Sequence, residues 1–373
     1  PITNTLRLAG NGWAESTGRL GALRMDNGTN WAGNIELTAN ADVGVYNSSS
    51  VASTISGVVS GAFQLSKTWG GTLTLSGNNT YSGGLALYGG LLKVASVGNA
   101  GAASALGASS AAASNLLFSG GSLAYTGASA ATTDRGFSIA PGATALIDLP
   151  SGNLAFSGGT PATTGGLTKT GTGTLGLSGN TLFAGSLSVS AGQLEILTGG
   201  NLGGGAYAGA ISLGSGATLA YRATADQALS GAISGAGGLI QAGTGTTTLS
   251  GSNSYTGNTA VSAGTLKLSN YNASAQYDIA SGAVLEYALT SDFNLPTVRY
   301  QGNGTWRKTG VGTLTWGTGA ATFAMGSGAL MDVRAGEVRV GDNSNEDLST
   351  NLADLNVASG ATFTFVDSRA NNA

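Results

Sequence analysis

The side chains able to do chemistry in this 373-residue chain are few: 18 aspartates and glutamates, 15 lysines and arginines, no histidine and no cysteine. Without histidine there is no side chain that titrates unshifted near neutrality, and serine or cysteine triads lose their commonest base. Without cysteine there is no disulfide, and with histidine also absent no zinc finger or cysteine-ligated iron–sulfur cluster. What remains is carboxylate chemistry. Two acids held a few ångströms apart can divide acid and base roles in glycoside cleavage, or clustered oxygens can hold Ca²⁺. The catalytic candidates are Asp332 and Asp354, 22 residues apart, with Glu337 near them. On stacked coils of about that length the two aspartates fall one above the other. The calcium candidates are Asp342, Glu346 and Asp347 in the stretch GDNSNED, which lacks the mid-loop glycine and terminal glutamate of an EF-hand and reads as a solvated loop. Both sets are as readily surface carboxylates, so the chain is read as non-enzymatic, without cofactor or metal.

Other motifs dissolve in context. Gly171 to Gly176 spells G-x-G-x-x-G, but a dinucleotide site needs it between a strand and a helix, and here strand-like sequence follows. Gly199 to Gly205 is glycine-rich without the aspartate of a calcium-binding nonapeptide repeat. Trp13, Trp31, Trp69, Trp306 and Trp316 could stack on sugar rings, although Trp316 shares the face of Leu314 and is expected in the core.

The elements that must position these residues follow from composition. Charged residues make up 9% of the chain, the net charge is −3, and no basic run occurs, so nucleic acid is not an expected partner. No apolar run approaches the ~18 residues of a spanning helix. The first residues, Pro1 to Leu6, begin in a strand-like pattern with no signal peptide, the look of a mature or excised segment. Glycine is abundant, at 64 residues, yet leucine, isoleucine, valine and aromatics alternate throughout. That combination indicates ordered β structure with many tight turns rather than disorder.

Self-similarity supplies the architecture. Residues 67–96, 169–198 and 241–270 align without gaps, and a degenerate copy spans 308–340. Segments such as Thr72 to Ser76 and Thr265 to Leu268 alternate with period two, one face apolar and the other hydroxylated. Leu75 to Val94, Leu177 to Ile196 and Leu249 to Leu268 are each 19 residues apart, inward position to inward position. This spacing predicts an all-β parallel β-solenoid of about 18 coils of roughly 20 residues. Residues 1–373 form one continuous solenoid on this reading, with 97–115 as a loop excursion. Recurrent glycines mark coil corners, and Tyr81, Phe183 and Tyr255 share one position, packed over a corner or left exposed for binding.

With these residues in view the chain resembles the autotransporter-associated β-strand repeat of bacterial passenger proteins. The pattern K-x-G-x-G-T-L-x-L-S-G-x-N-x-Y-x-G is seen at Lys67 to Gly83, Lys169 to Gly185 and Gln241 to Gly257. The resemblance implies a right-handed β-helix, secreted and displayed on the bacterial surface or outside the cell. The expected function is structural or adhesive, with further coils of a parent chain or other copies stacked end to end as partners, and surface glycans or host matrix as targets. The alternatives are a carbohydrate-active β-helix enzyme and a glycan-binding surface module.

Overall fold

A computed structural model describes residues 4–365 apart from 16–17, 27, 47–50, 271, 296, 317–321 and 341–352. Two compact units divide the chain, Pro1–Glu195 with Gly200–Gly204 and Ile196–Gly199 with Gly205–Ala373. Among the described residues there is no α-helix, only short strands and two single 3-10 turns.

Alternating sequence becomes parallel strand because one face has a place to go. In the first unit Thr72–Leu75 lies between Ser53–Ile55 and Leu91–Val94, so that Ile55, Leu75 and Val94 form one inward row, all fully buried. The threonines between them point outward. Such a row removes each leucine or valine from water on every side, worth roughly 1.5–3 kcal/mol per side chain. The second unit repeats the arrangement: Thr246–Leu249, Thr265–Leu268, Val284–Ala288, Thr305–Thr309, Leu330–Val333 and Asp354–Val357 pair in series, all parallel. Its inward row runs Leu266, Leu285, Trp306, Met331.

The fold class is as expected, but coils are longer and fewer. Register partners are 19 residues apart from Leu73 to Leu92, then 31 from Leu92 to Leu123 and 24 from Leu123 to Ile147. In the second unit the spacing grows from 19 at Leu266 to Leu285 up to 25 at Trp306 to Met331. The solenoid therefore has about 14 turns, not 18. The 19-residue repeat measures a coil with minimal corners, and several corners carry extra chain.

The largest such corner follows Leu91–Val94 and ends in the 3-10 turn Ala113–Asn115. Arg135, itself buried, reaches into it: Nε donates to the Gly98 carbonyl at 3.0 Å, one terminal nitrogen to Ser109 Oγ at 2.6 Å, and the other to the Gly107 carbonyl at 2.9 Å. Thr133 Oγ1 donates to the same Gly98 carbonyl, and the Asp134 carboxylate accepts the Ala100 N–H. Three consecutive residues of a later coil thus satisfy backbone groups that a loop leaves unpaired.

The G-x-G-x-x-G stretch is a corner and a strand: Gly171 has φ +75°, and Thr174–Leu177 continues into the sheet. The left-handed conformation favours glycine there.

Candidate functional site

Two arrangements of charged side chains stand out among the described residues, an outward row in the second unit and a set of inward lysines on separate sheets. The outward row crosses five strands of the second unit, Lys267, Glu286, Arg307, Asp332 and Asn356, each in register with the next. Signs alternate along it. Lys267 Nζ lies 3.4 Å from Glu286, and Arg307 Nε lies 3.0 Å from Asp332. Strand spacing forces outward neighbours to within ~5 Å, where like charges destabilise and opposite charges attract.

Asp332 is embedded in this row. Its side chain is buried; one oxygen accepts from Arg307 and from Arg334 Nε at 2.6 Å, the other from Asn356 at 2.8 Å. Burial alone would raise its pKa, but these donors outweigh it and hold the carboxyl below the usual aspartate range. Such a group stays an anion and gives up no proton near neutrality. Asp354 sits on the next strand opposite Leu330, two residues from the partner of Asp332, and is exposed. Glu337 lies in a different sheet, opposite Thr313 and Thr362, where it accepts from Thr364 Oγ1 and faces Arg339. The structure thus stacks the strands of the two aspartates but sets Glu337 apart from them. Asp342, Glu346 and Asp347 lie outside the described residues, among which no cluster of three or more metal-binding side chains occurs. Trp306 and Trp316 are buried, while Trp13 is 77% exposed.

The inward-facing lysines are the residues that sequence reading missed. Lys67 stands between Val43 and Leu87, Lys169 between Ile147 and Val189, and Lys308 between Tyr287 and Val333, all in apolar rows. Each has 1% exposure or less. Among the described residues none of them is in an ion pair; instead each ammonium is caged by three corner carbonyls. Lys67 Nζ donates to Thr68, Trp69 and Gly89 at 2.7–2.9 Å. Lys169 donates to Thr170, Gly171 and Ala191, and Lys308 to Thr309, Gly310 and Ala335. An ammonium has three donors and no acceptor, so the cage matches it. In the third copy Gln241 occupies the place, between Tyr221 and Val261, and its amide donates to Gly243 and Gly245. Parity was the available signal: Lys67 follows inward Leu65 by two, and Lys169 follows Leu167 by two.

The cage closes only around a corner without side chains. A β-carbon on Gly192, which has φ +63°, would come within 2.7 Å of the Lys169 nitrogen and 2.4 Å of the Gly173 carbonyl. At the first corner of its cage Lys67 has Trp69 where the other copies have Gly171 and Gly310, and Trp69 keeps their left-handed conformation at φ +64°. The asparagine of the repeat is a second clamp: Asn79 accepts the Val59 N–H and Asn253 the Ile233 N–H, each 20 residues back. Tyr81, Phe183 and Tyr255 are fully buried, which resolves the shared aromatic position in favour of packing.

This architecture defines a class, the parallel β-solenoid. The passenger-associated-transport-repeat family matches three times, at residues 65–94, 167–196 and 239–268, each match beginning two residues before a caged side chain. The chain is also similar to the adhesin BmaC autotransporter of Brucella suis biovar 1 (strain 1330), 35% identical over 237 residues. That match covers 54% of this chain and spans only 7% of the relative's length. No solved structure matches. The repeats and the relative point to a secreted, cell-surface location.

Two outcomes follow from the cages. Lys169→Met removes all donors to three corner carbonyls and is expected to lower stability by ~1–3 kcal/mol, whereas Lys169→Gln, which imitates Gln241, should cost less than ~1 kcal/mol. Denaturant unfolding of both variants checks this, and a methionine variant as stable as the glutamine one would refute the cage. The second concerns pH. Burial pulls Lys67 and Lys169 from 10.5 down to about 8, so above pH 8 the folded chain sheds protons that the unfolded chain keeps, and stability should rise. Above about pH 10 the sign reverses, because burial raises Tyr81, Tyr207 and Tyr255 and only the unfolded chain ionises them. Unfolding midpoints between pH 7 and 11 are expected to pass through a maximum near pH 10; a steady decline from pH 8 would contradict the assignment.

Proposed function

We infer that the chain is a stretch of a surface-displayed autotransporter passenger whose work is adhesion. The observation carrying this reading is the coincidence of three passenger repeats with three caged corners, in a chain similar to an autotransporter adhesin. The geometry supports it: the repeat's most distinctive side chains are spent on holding coils together, and Asp332 is committed to arginines. The outward positions are left free to vary, as a binding surface requires. Microspheres coated with the purified chain are expected to adhere to cultured epithelial cells or to immobilised extracellular matrix several-fold more than albumin-coated ones. Equal retention on both surfaces would refute the adhesive reading.

The same reading extends to assembly, with second copies stacked end to end. Its support is the strands Asp354–Val357 and Ala361–Phe365, each paired among the described residues with one neighbour only, on which Leu355, Val357 and Phe365 are exposed at 48%, 40% and 66%. An open strand edge with apolar side chains is a template for another strand layer. Sedimentation velocity is expected to show concentration-dependent association that Leu355→Lys with Phe365→Lys abolishes. Association unchanged in the double variant, or none in the parent, would remove this part.

A further inference from the structure

On the outer face of the first unit, strands Leu6–Gly10, Ile35–Tyr46, Leu65–Thr68 and Leu85–Leu87 form one parallel sheet. Val43, Lys67 and Leu87 point inward, so Asp42, Ser66 and Ala86, in register with one another, point out. Outward residues of a solenoid ordinarily meet solvent, yet Ser66 has 4% exposure and Ala86 none. Ser66 lies at the bottom of a recess, and Tyr88, two residues beyond Ala86 and 47% exposed, stands at its side.

The recess measures about 350 Å³ and is lined by Asn11, Asn40, Asp42, Gln64, Ser66 and Tyr88. That volume is at the small end of ligand pockets, which run ~300–1,000 Å³. The chemistry of the lining is specific. Asn40 Oδ1 accepts the Gln64 N–H at 3.0 Å, which fixes the asparagine amide at the rim. Among the described residues the Asp42 carboxylate, the Gln64 amide and the Tyr88 hydroxyl have no hydrogen-bond or ion-pair partner. A half-buried carboxylate without a cation contrasts with Glu286 and Asp332, both paired with basic residues.

We propose that this recess is a subsite for a neutral pyranose. An aromatic ring offers a face to the C–H side of a sugar, a carboxylate accepts two hydroxyls, and amides both donate and accept. No lysine or arginine lines the recess, so sialic acid, uronic acids and phosphates meet an uncompensated negative charge. The polar floor equally disfavours an apolar peptide side chain. The proposal deepens the adhesive reading and rests on it for its biological role.

The test uses the whole chain and albumin conjugates carrying glucose, galactose, mannose, N-acetylglucosamine or sialic acid, with binding followed by biolayer interferometry. At least one neutral conjugate is expected to bind and the sialylated one not to. Tyr88→Ala and Asp42→Asn should each weaken binding by roughly tenfold or more, the scale of a lost hydrogen bond to a charged group. Val311→Ser, on an exposed position of the second unit, should change nothing, and all three variants should unfold at the parent's temperature. Failure of all four neutral conjugates, binding that survives both recess variants, or equal binding of sialic acid would overturn the subsite. If the conjugates fail while coated microspheres still adhere, the subsite falls and adhesion stands. If variant-sensitive sugar binding is found but microspheres do not adhere, the subsite stands and adhesion falls.

Discussion

In-register parallel stacking is the constraint on which everything else here depends. It sets each side chain between two others, one coil before and one coil after, at the strand spacing of ~4.8 Å. Inward rows must then be filled by side chains that tolerate their own kind above and below. Leucine and valine do so in the first unit, and in the second flat rings do: Tyr277 stacks on Tyr300 at 5.5 Å between centroids, and Tyr300 on Phe323 at 4.5 Å. Outward rows face the opposite demand. A ladder of one charge would repel itself at every step, and the sequence Lys267, Glu286, Arg307, Asp332 alternates sign instead.

The caged lysine is the point where a row reaches a corner. A turn of a coil exposes carbonyls whose partners the ladder cannot supply, and they converge from two successive coils toward the interior. A lysine whose stem replaces one leucine in the row places three donors among them, while its methylenes keep apolar contact with Val43 and Leu87, or with Ile147 and Val189. The desolvation that depresses its pKa is the cost of this arrangement, offset by three charge-assisted hydrogen bonds. Glutamine performs a reduced version at Gln241, without burying a charge.

Much of this was legible in the chain alone, because periodicity in a solenoid is itself geometry. Parallel strands, inward leucines and the repeat boundaries follow from alternation and a 19-residue spacing. The number of coils did not, since a coil with a 12-residue excess at a corner has the same strands as one without it, and nothing in residues 95–112 announces that Arg135 will hold them. The buried lysines were hidden by residue type: a cation in the K-T-G signature reads as surface until its parity with Leu65 and Leu167 is counted. Asp332 erred in the other direction. A spacing of 22 stacks the strands carrying Asp332 and Asp354, but in register Asp332 faces Asn356, so the aspartates fall a pleat apart and arginines take the carboxylate.

Binding function has to live where stacking leaves freedom. Inward and corner positions are bound by neighbours on both sides, so any change there propagates to adjacent coils. Outward positions are constrained only by charge and by bulk, and the two units use that latitude differently. In the second, the outward row is consumed by ion pairs from Lys267 to Asp332. In the first, Asp42 and Ser66 occupy the corresponding kind of row with an unpaired and a small side chain, and both line a recess. A recess one or two strand spacings across is about the span of a single sugar ring. A repeat that fixes its corners so firmly can therefore vary its outer rows coil by coil without disturbing the scaffold that displays them.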